Sequence, residues 1–458
     1  MKILHVAHCF PPEPVGGTEK NVLALAGSLR ERGHDVRVTA GSLQWERGFR
    51  VDRDEYEGIP VWRVRRDDPW YDRWDAAYNP VVEHVFRRIL REFHPDLVHV
   101  HHWIRLTSNL VQTAREEGIP AVAQIHDFHV TCPRTFRVKE DGTFCEVKPS
   151  PEACLHCVER WPFQGDQEIR PKLVHYLRDF YNEMRCAHLV LAPTESHGRR
   201  AASFFPGEIG PVAALPPGWK EVWTAPKKGS PSKGPLRVAH WGNLYDLKGT
   251  LLLVRAFRLA LEKSPMELNI LGDPVERPFL EELKKEAEGL PVRFFGPYGR
   301  KDLENLDADL AVFPSLCGES YSLTLDEACM LGLPMVVSDA GVLQERAGGG
   351  AWVVPRGNVE ALAEALVEAA EDRALLSEKA ASLPRSWKTV EEVSGMAEEL
   401  YGEVLGGKYT PLPPVHPLGP VQRLHLAWFV QALRLAGLLG ARDAWPAGWR
   451  AGKRDEGE

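Results

Sequence analysis

The chain has 458 residues, 44% hydrophobic and 26% charged, an ordinary balance for globular domains and enough length for two or three separate cores. A formal net charge of −8 argues against a nucleic-acid partner, which calls for a basic face. No uninterrupted apolar run reaches the roughly 18 residues of a membrane span, and the MKILHVAHCF start is too short an apolar run for a leader.

The expected location is therefore cytoplasmic, where the eight cysteines are reduced or hold metal. In chain order, KILHVA at 2–7 reads as a strand, FPPEPVGG at 10–17 as a loop, residues 18–33 as an amphipathic helix ending at Gly33, and DVRVTA at 35–40 as a strand. Strand, glycine loop, helix and strand form the βαβ signature of a parallel sheet. The pattern predicts a helix at 81–93, a strand at 96–101, a helix at 107–117 and a strand at 121–125. Residues 130–165 interrupt it, and a helix at 170–186 and a strand at 188–192 resume it. The Pro-, Gly- and Ser-rich stretch 216–235 reads as a linker. A second series follows, with strands at 236–242, 266–272, 292–296, 310–314, 334–339 and 351–355. Helices fall at 249–263, 276–288, 323–332 and 358–371. Two doubly wound α/β domains in tandem are expected, with ligands at the carboxyl ends of the strands and in the cleft between the domains.

The richest segment is FPSLCGESYSLTLDEACMLGLPMVVSDAGVLQE at 313–345. Ser320, Tyr321, Ser322 and Leu323 would offer backbone N–H groups at a helix N-terminus, which favours a diphosphate. Glu327, further along that helix, can accept both hydrogen bonds of a ribose diol, and Glu319 before it can reach sugar hydroxyls. An isolated pair of acids in a loop would more simply be solvated. GNLYDLKGT at 242–250 places Asn243 and Lys248 in the loop after the first strand of the second series. The order K-G-T and its spacing do not make a P-loop, and no G-x-G-x-x-G follows either first strand. Gly16 and Gly17 allow close backbone approach after strand one, though turn glycines are common. His126 ends the strand at 121–125; a lone histidine there is more often structural than catalytic. Cys132, Cys145, Cys154 and Cys157 have the makings of a structural four-thiolate zinc site, with four unrelated thiols or a partial site using His129 or His156 as the alternatives.

Residues 313–345 resemble the E-x(7)-E signature of the retaining glycosyltransferases of family four, which have the GT-B fold. The resemblance rests on Pro314, Ser315, Glu319, Ser320, Tyr321, Leu323, Glu327, Ala328, Gly332, Pro334, Ser338, Asp339, Gly341 and Glu345. Ser322 and Val342 depart from family glycines, and Asn243 departs from an arginine. The resemblance implies two facing Rossmann-like domains. These are 1–217 on the acceptor side, with the cysteine insert at 130–160, and 218–385 on the nucleotide-sugar side. Crossover helices at 386–405 and a tail at 406–458 complete the chain.

It also implies sugar transfer from a nucleotide-diphosphate sugar with retention, in polysaccharide or glycoconjugate biosynthesis. The acceptor would be a glycan, a lipid-linked glycan or a small molecule, and no catalytic metal is required. Lys248 would contact the diphosphate, His126 the donor sugar, and Gly16 and Gly17 the region near the phosphate; His101 and His102 are acceptor-side candidates. A GT-B epimerase or phosphorylase, a glycosidase and a non-catalytic zinc-stapled nucleotide-sugar binder are the alternatives. In the tail, VQRLHLAWFVQALRLAGLLG at 421–440 is apolar but too polar to span a bilayer. Docking on the core ranks first for it, with peripheral membrane contact second.

Overall fold

The computed structural model describes residues 1–13, 16–44, 48–67, 72–223 and 234–415. They form two compact units. The first comprises Met1–Thr135, Val147–Lys220 and the described part of Lys388–Glu458, and the second Phe136–Glu146 and Glu221–Trp387.

The first unit runs β1 (Lys2–Ala7), α1 (Gly17–Glu31), β2 (Asp35–Gly41), β3 (Arg50–Tyr56), β4 (Ile59–Arg65), α2 (Pro80–Phe93) and β5 (Leu97–Val100). It continues through α3 (Leu110–Glu116), β6 (Ala121–Gln124), α4 (Pro151–Cys154), α5 (Asp166–Cys186), β7 (Leu189–Ala192), α6 (Glu195–Ala202) and β8 (Val212–Ala214). Its sheet has the order β3-β4-β2-β1-β5-β6-β7-β8 and is parallel except for the β3–β4 hairpin. The central strands are buried along nearly their whole length, as a sheet covered on both faces requires, which is why they read as continuous apolar runs. The hairpin was not legible in the sequence. β3, RVDRDEY, is charged and mostly exposed, a composition that protects a sheet edge.

The second unit runs β9 (Leu236–Trp241), α7 (Thr250–Leu261), β10 (Met266–Leu271), α8 (Arg277–Glu286), β11 (Val292–Gly296), α9 (Arg300–Glu304) and β12 (Leu310–Phe313). After these come α10 (Leu323–Leu331), β13 (Met335–Ser338), α11 (Leu343–Ala347), β14 (Ala351–Val354), α12 (Val359–Glu371) and α13 (Arg373–Ala381). The sheet order is β11-β10-β9-β12-β13-β14, parallel throughout. The strand order reverses between β9 and β12 here, and between β1 and β5 in the first unit. Loops that follow these strands therefore border a crevice at the carboxyl ends.

The chain returns to the first unit as one helix, α14 (Val390–Leu405), where the sequence suggested several. Val393, Ala397, Tyr401 and Val404 enter the core that holds Ile3, Val36 and Leu97. Where the chain leaves and re-enters this unit the two segments pair, Trp219 N–H donating to Lys388 O at 2.9 Å and Val390 N–H to Trp219 O at 3.0 Å. The start of the tail lies on α5. Leu412 N–H donates to Arg185 O at 2.8 Å, and Val415 N–H to Asn182 Oδ1 at 2.6 Å. The apolar stretch 421–440, with its docking and membrane readings, and linker residues 224–233 lie outside the described residues. The cysteine insert does not stay whole with the first unit. Phe136–Glu146 groups with the second, where the Arg356 guanidinium lies 4.8 Å from the centre of the Phe144 ring. Among the described residues no helix is long and apolar enough to cross a membrane.

Candidate functional site

In the second unit, two loops that are distant in sequence are joined through their backbones. Leu316 N–H donates to Leu247 O at 2.8 Å, and Gly249 adopts φ 72° where a Cβ would collide with the Pro314 carbonyl. The glycine after Lys248 is thus required by close approach and by its left-handed backbone. This join carries Lys248 to Glu319, where Nζ donates to Oε1 at 2.6 Å. Glu319 Oε1 also accepts from Ser315 Oγ at 2.7 Å. Burial alone would push the Lys248 ammonium down in pKa, but the Glu319 carboxylate beside it reverses this and holds it well above its ordinary value. Burial likewise favours protonated Glu319, and the Lys248 charge overrides it and lowers its pKa. Glu319 is therefore an ion-pair partner held in place, and its side chain is only 11% exposed.

Glu319 is fixed from its other side by Gly341. At φ 64° a Cβ on Gly341 would strike the Glu319 backbone, and Val342 N–H donates to Glu319 O at 3.0 Å. Val342 itself has φ −95° and is buried, so this departure from glycine is accommodated without backbone cost. Ser322 differs. It precedes α10 with φ 69° and ψ 91°, outside the regions open to residues with a side chain. Arg346 braces this turn, donating from Nη1 to Tyr321 O at 2.5 Å and Ser322 O at 3.2 Å, and from Nη2 to Asp326 Oδ1 at 2.5 Å. Its guanidinium lies 3.5 Å from the centre of the Tyr321 ring. Leu323 begins α10, where Leu325 N–H donates back to Ser322 O at 3.3 Å and the N–H groups ahead of it lie at the open end of the helix. Glu327, on the same helix, accepts from Trp241 Nε1 at 2.7 Å. Tyr298 lies beside it, its phenol raised in pKa by burial and then by the Glu327 carboxylate. Asn243 is exposed. Arg346, Trp241 and Tyr298 escaped the sequence reading, though Arg346 directly follows Glu345 of the motif.

In the first unit Gly16 caps α1 and Gly17 is its first residue; the Gly16 N–H is occupied by Glu19 Oε2 at 2.8 Å. Glu19 also meets His8 Nε2 at 2.8 Å, a bond that overcomes burial and holds its carboxyl down at about 2. The predicted His126 lies at the end of β6, half-buried, and its Nε2 is 3.2 Å from His101 Nδ1. His101 is fully buried and His102 nearly so, and His102 Nε2 lies 3.4 Å from Asp127 Oδ2, so neither is an open acceptor-side group. Burial pushes His126 and His5 down to about 3 and His8 to about 4, and all are neutral at pH 7. His8, His101, His102 and His126 all follow the carboxyl ends of adjacent strands β1, β5 and β6. That position was a usable signal for His8 as well.

Of the four predicted metal cysteines, Cys154 and Cys157 share one tight turn, Cys157 N–H donating to Cys154 O at 3.0 Å, and among the described residues no cysteine is in a disulfide. Cys145 Sγ lies 3.9 Å from Arg137 Nη2. The three-residue ligand group among the described residues, with ligand atoms within 4.8 Å of one another, is His5, His99 and His101.

Residues 15–218 match the family model described as Glycosyltransferase Family 4, and residues 235–372 the one described as Glycosyl transferases group 1. The glycogen synthase of Mycobacterium tuberculosis is 25% identical over 365 residues, covering 75% of this chain and 80% of the relative. Among solved structures, a sucrose-phosphate synthase from Thermosynechococcus elongatus has a TM-score of 0.62 at 16% identity, over 89% of this chain and 100% of that one. HepE of Anabaena, solved in complex with UDP, has a TM-score of 0.56 at 18% identity, over 95% of this chain and 100% of that one. With one family match on each unit and a fold shared with these neighbours, the chain is a glycosyltransferase of the family-four type, built on the two-domain α/β GT-B fold.

Proposed function

We propose that the chain is a retaining hexosyltransferase that uses a nucleotide-diphosphate sugar to build a polysaccharide or glycoconjugate. The observation that carries this reading is the cation–carboxylate pair Lys248–Glu319 set beside the N-terminal turn of α10, with Glu327 one further turn along. In the free protein Glu319 keeps Lys248 charged and in place. A donor diphosphate would share or replace that partner and draw on the amides of 320–323 as charge develops on the leaving group. Such neutralisation needs no catalytic metal. Glu327, oriented by Trp241 Nε1, is read as the ribose acceptor, and Glu319 as the group that positions the sugar once Lys248 turns to phosphate. His126 is read as a contact of the donor sugar. The reported likeness to a protein solved with UDP supports a nucleotide-sugar co-substrate.

Cys132, Cys145, Cys154 and Cys157 are read as ligands of a structural zinc, supported by their spacing and by the shared turn of Cys154 and Cys157. In that role zinc would staple the loop-rich insert and take no part in transfer. About one zinc per chain, lost in Cys154→Ser, is the expected elemental analysis.

The donor assignment is tested by thermal stabilisation with UDP, GDP and ADP in the wild type and in Glu327→Gln. Gln is chosen over Ala because Trp241 Nε1 is buried and needs an acceptor. A ligand at about 100 times its Kd adds roughly 2.7 kcal/mol. Stabilisation by one nucleotide, weakened in the variant, is expected. No response to any of the three would sink the donor reading. The anomeric configuration of the product, read by NMR, tests retention.

A further inference from the structure

Three histidines form a hydrogen-bonded row across adjacent strands of the first sheet. His5 Nδ1 lies 2.8 Å from His101 Nε2, and His101 Nδ1 lies 3.2 Å from His126 Nε2. His5 sits on β1, His101 follows β5 and His126 follows β6. His5 and His101 are fully buried, and only His126 is partly exposed. Burial keeps all three rings neutral, so each carries one ring proton.

Proton counting then leaves two arrangements. Each of the two bonds uses one proton, and the third proton resides at one end of the row. It lies on His5 Nε2 or on His126 Nδ1. His5 Nε2 is buried with no hydrogen-bond partner among the described residues. A buried N–H without an acceptor is among the rarest defects in folded proteins. The proton therefore belongs at the other end, where His126 Nδ1 is on the partly exposed member. Every bond in the row then points the same way, His5 to His101 to His126.

We propose that His5 and His101 are positioning residues which lock His126 as its Nδ1–H tautomer, so that His126 presents an N–H donor to an oxygen of its ligand and not a bare nitrogen. That this oxygen belongs to a donor sugar rests on the functional reading above. The consequence is specific: His126 steadies an oxygen through a fixed donor and does not act as a general base through Nδ1. Free neutral imidazole prefers the opposite tautomer, so the row does work that solvent would not. A metal on His5, His99 and His101 is the competing use of these nitrogens. The rings of His99 and His101 are stacked with centroids 3.8 Å apart and planes 29° apart. Stacked rings hold their in-plane lone pairs side by side, not convergent on one ion.

The test is long-range proton–nitrogen NMR of the full chain labelled at histidine nitrogens, with His126 assigned by its absence in His126→Gln. A protonated Nδ1 and a bare Nε2 are expected in the wild type without ligand. His101→Asn, whose side-chain NH2 takes the place of Nδ1–H, should keep that signature and activity within a few-fold. His101→Phe should return His126 to Nε2–H and lower kcat more than tenfold. A wild-type His126 protonated at Nε2, or a stoichiometric metal lost in His99→Asn, overturns the proposal even if the Phe variant fails to fold. The tautomer is read without substrate. A missing nucleotide response beside an intact Nδ1–H signature would therefore refute the transferase reading and leave the row standing.

Discussion

Ser322 offers a substitution whose sign is counterintuitive. It stands where the family signature has glycine, at the entrance to α10, yet its backbone keeps φ 69° and ψ 91°. Such a conformation costs a residue with a side chain on the order of 1–3 kcal/mol, and this one lies beyond even the left-handed well, so about 2 kcal/mol is a fair central value. Ser322→Gly releases that strain. Against it stand about 0.4–1 kcal/mol from the greater freedom of glycine in the unfolded chain, and at most about 0.5 kcal/mol for the half-exposed contact between Ser322 Oγ and Thr324 Oγ1 at 3.1 Å. The net expectation is a gain of about 1 kcal/mol in the second unit. Ser322→Ala, which keeps the strain and loses the hydroxyl, should be neutral or slightly destabilising. Urea unfolding followed by tryptophan fluorescence, with both variants beside the wild type, measures the difference. Loss of stability in Ser322→Gly would refute the reasoning, because it would mean that the bonds from Arg346 to the Tyr321 and Ser322 carbonyls leave no strain to release.

Gly341→Ala should act in the opposite direction, since its Cβ meets the Glu319 backbone at a φ of 64°. A loss of at least about 2 kcal/mol and a more than tenfold weaker nucleotide Kd are expected by calorimetry, and unchanged binding would place the donor elsewhere. Acid should unfold the protein early. Burial holds His5, His126 and His129 at about 3 and His8, His197 and His240 at about 4, below the ordinary value of 6.5. The unfolded chain then binds more protons, so their contribution is complete above pH 6.5 and lost as pH falls below it. Each histidine gives up roughly 1.4 kcal/mol per pH unit, and together they approach a typical total stability within about one or two units. A circular-dichroism midpoint between about pH 5 and 6 is expected, and stability that stays flat from pH 7 to pH 5 would refute it.

How much of this was legible in the sequence depends on how local each feature is. The parallel strands β1, β2, β5, β6 and β7, and those of the second unit, were readable because burial on both faces makes them short continuous apolar runs between glycine- or proline-bearing loops, whereas β4 and β8 were not read. Of the β3–β4 hairpin, β3 was missed because an exposed, charged edge carries no apolar period, while β4, mostly buried, was simply not read as a strand. The loop entering α10 was readable because a helix N-terminus, its amides and its acids lie within a short continuous stretch of chain, so Glu319 could be put before the helix and Glu327 on it before any contact was known.

Tertiary structure decided the rest. Lys248 and Glu319 are 71 residues apart, and only the backbone join between their loops makes them an ion pair. The two departures from family glycines looked alike in sequence. Folding gives Val342 an ordinary φ of −95° and Ser322 a strained one, because backbone angles are set by the surrounding loops and not by residue type. The row from His5 to His126 joins a residue on β1 with residues just after β5 and β6, which become neighbours only when β5 pairs beside β1 and β6 beside β5. Sequence by itself determined most of the elements and which loops carry donors and charges, since both are local properties. Which side chains meet, and which nitrogen keeps its proton, depended on strand order, because burial and pairing exist only once distant segments have come together.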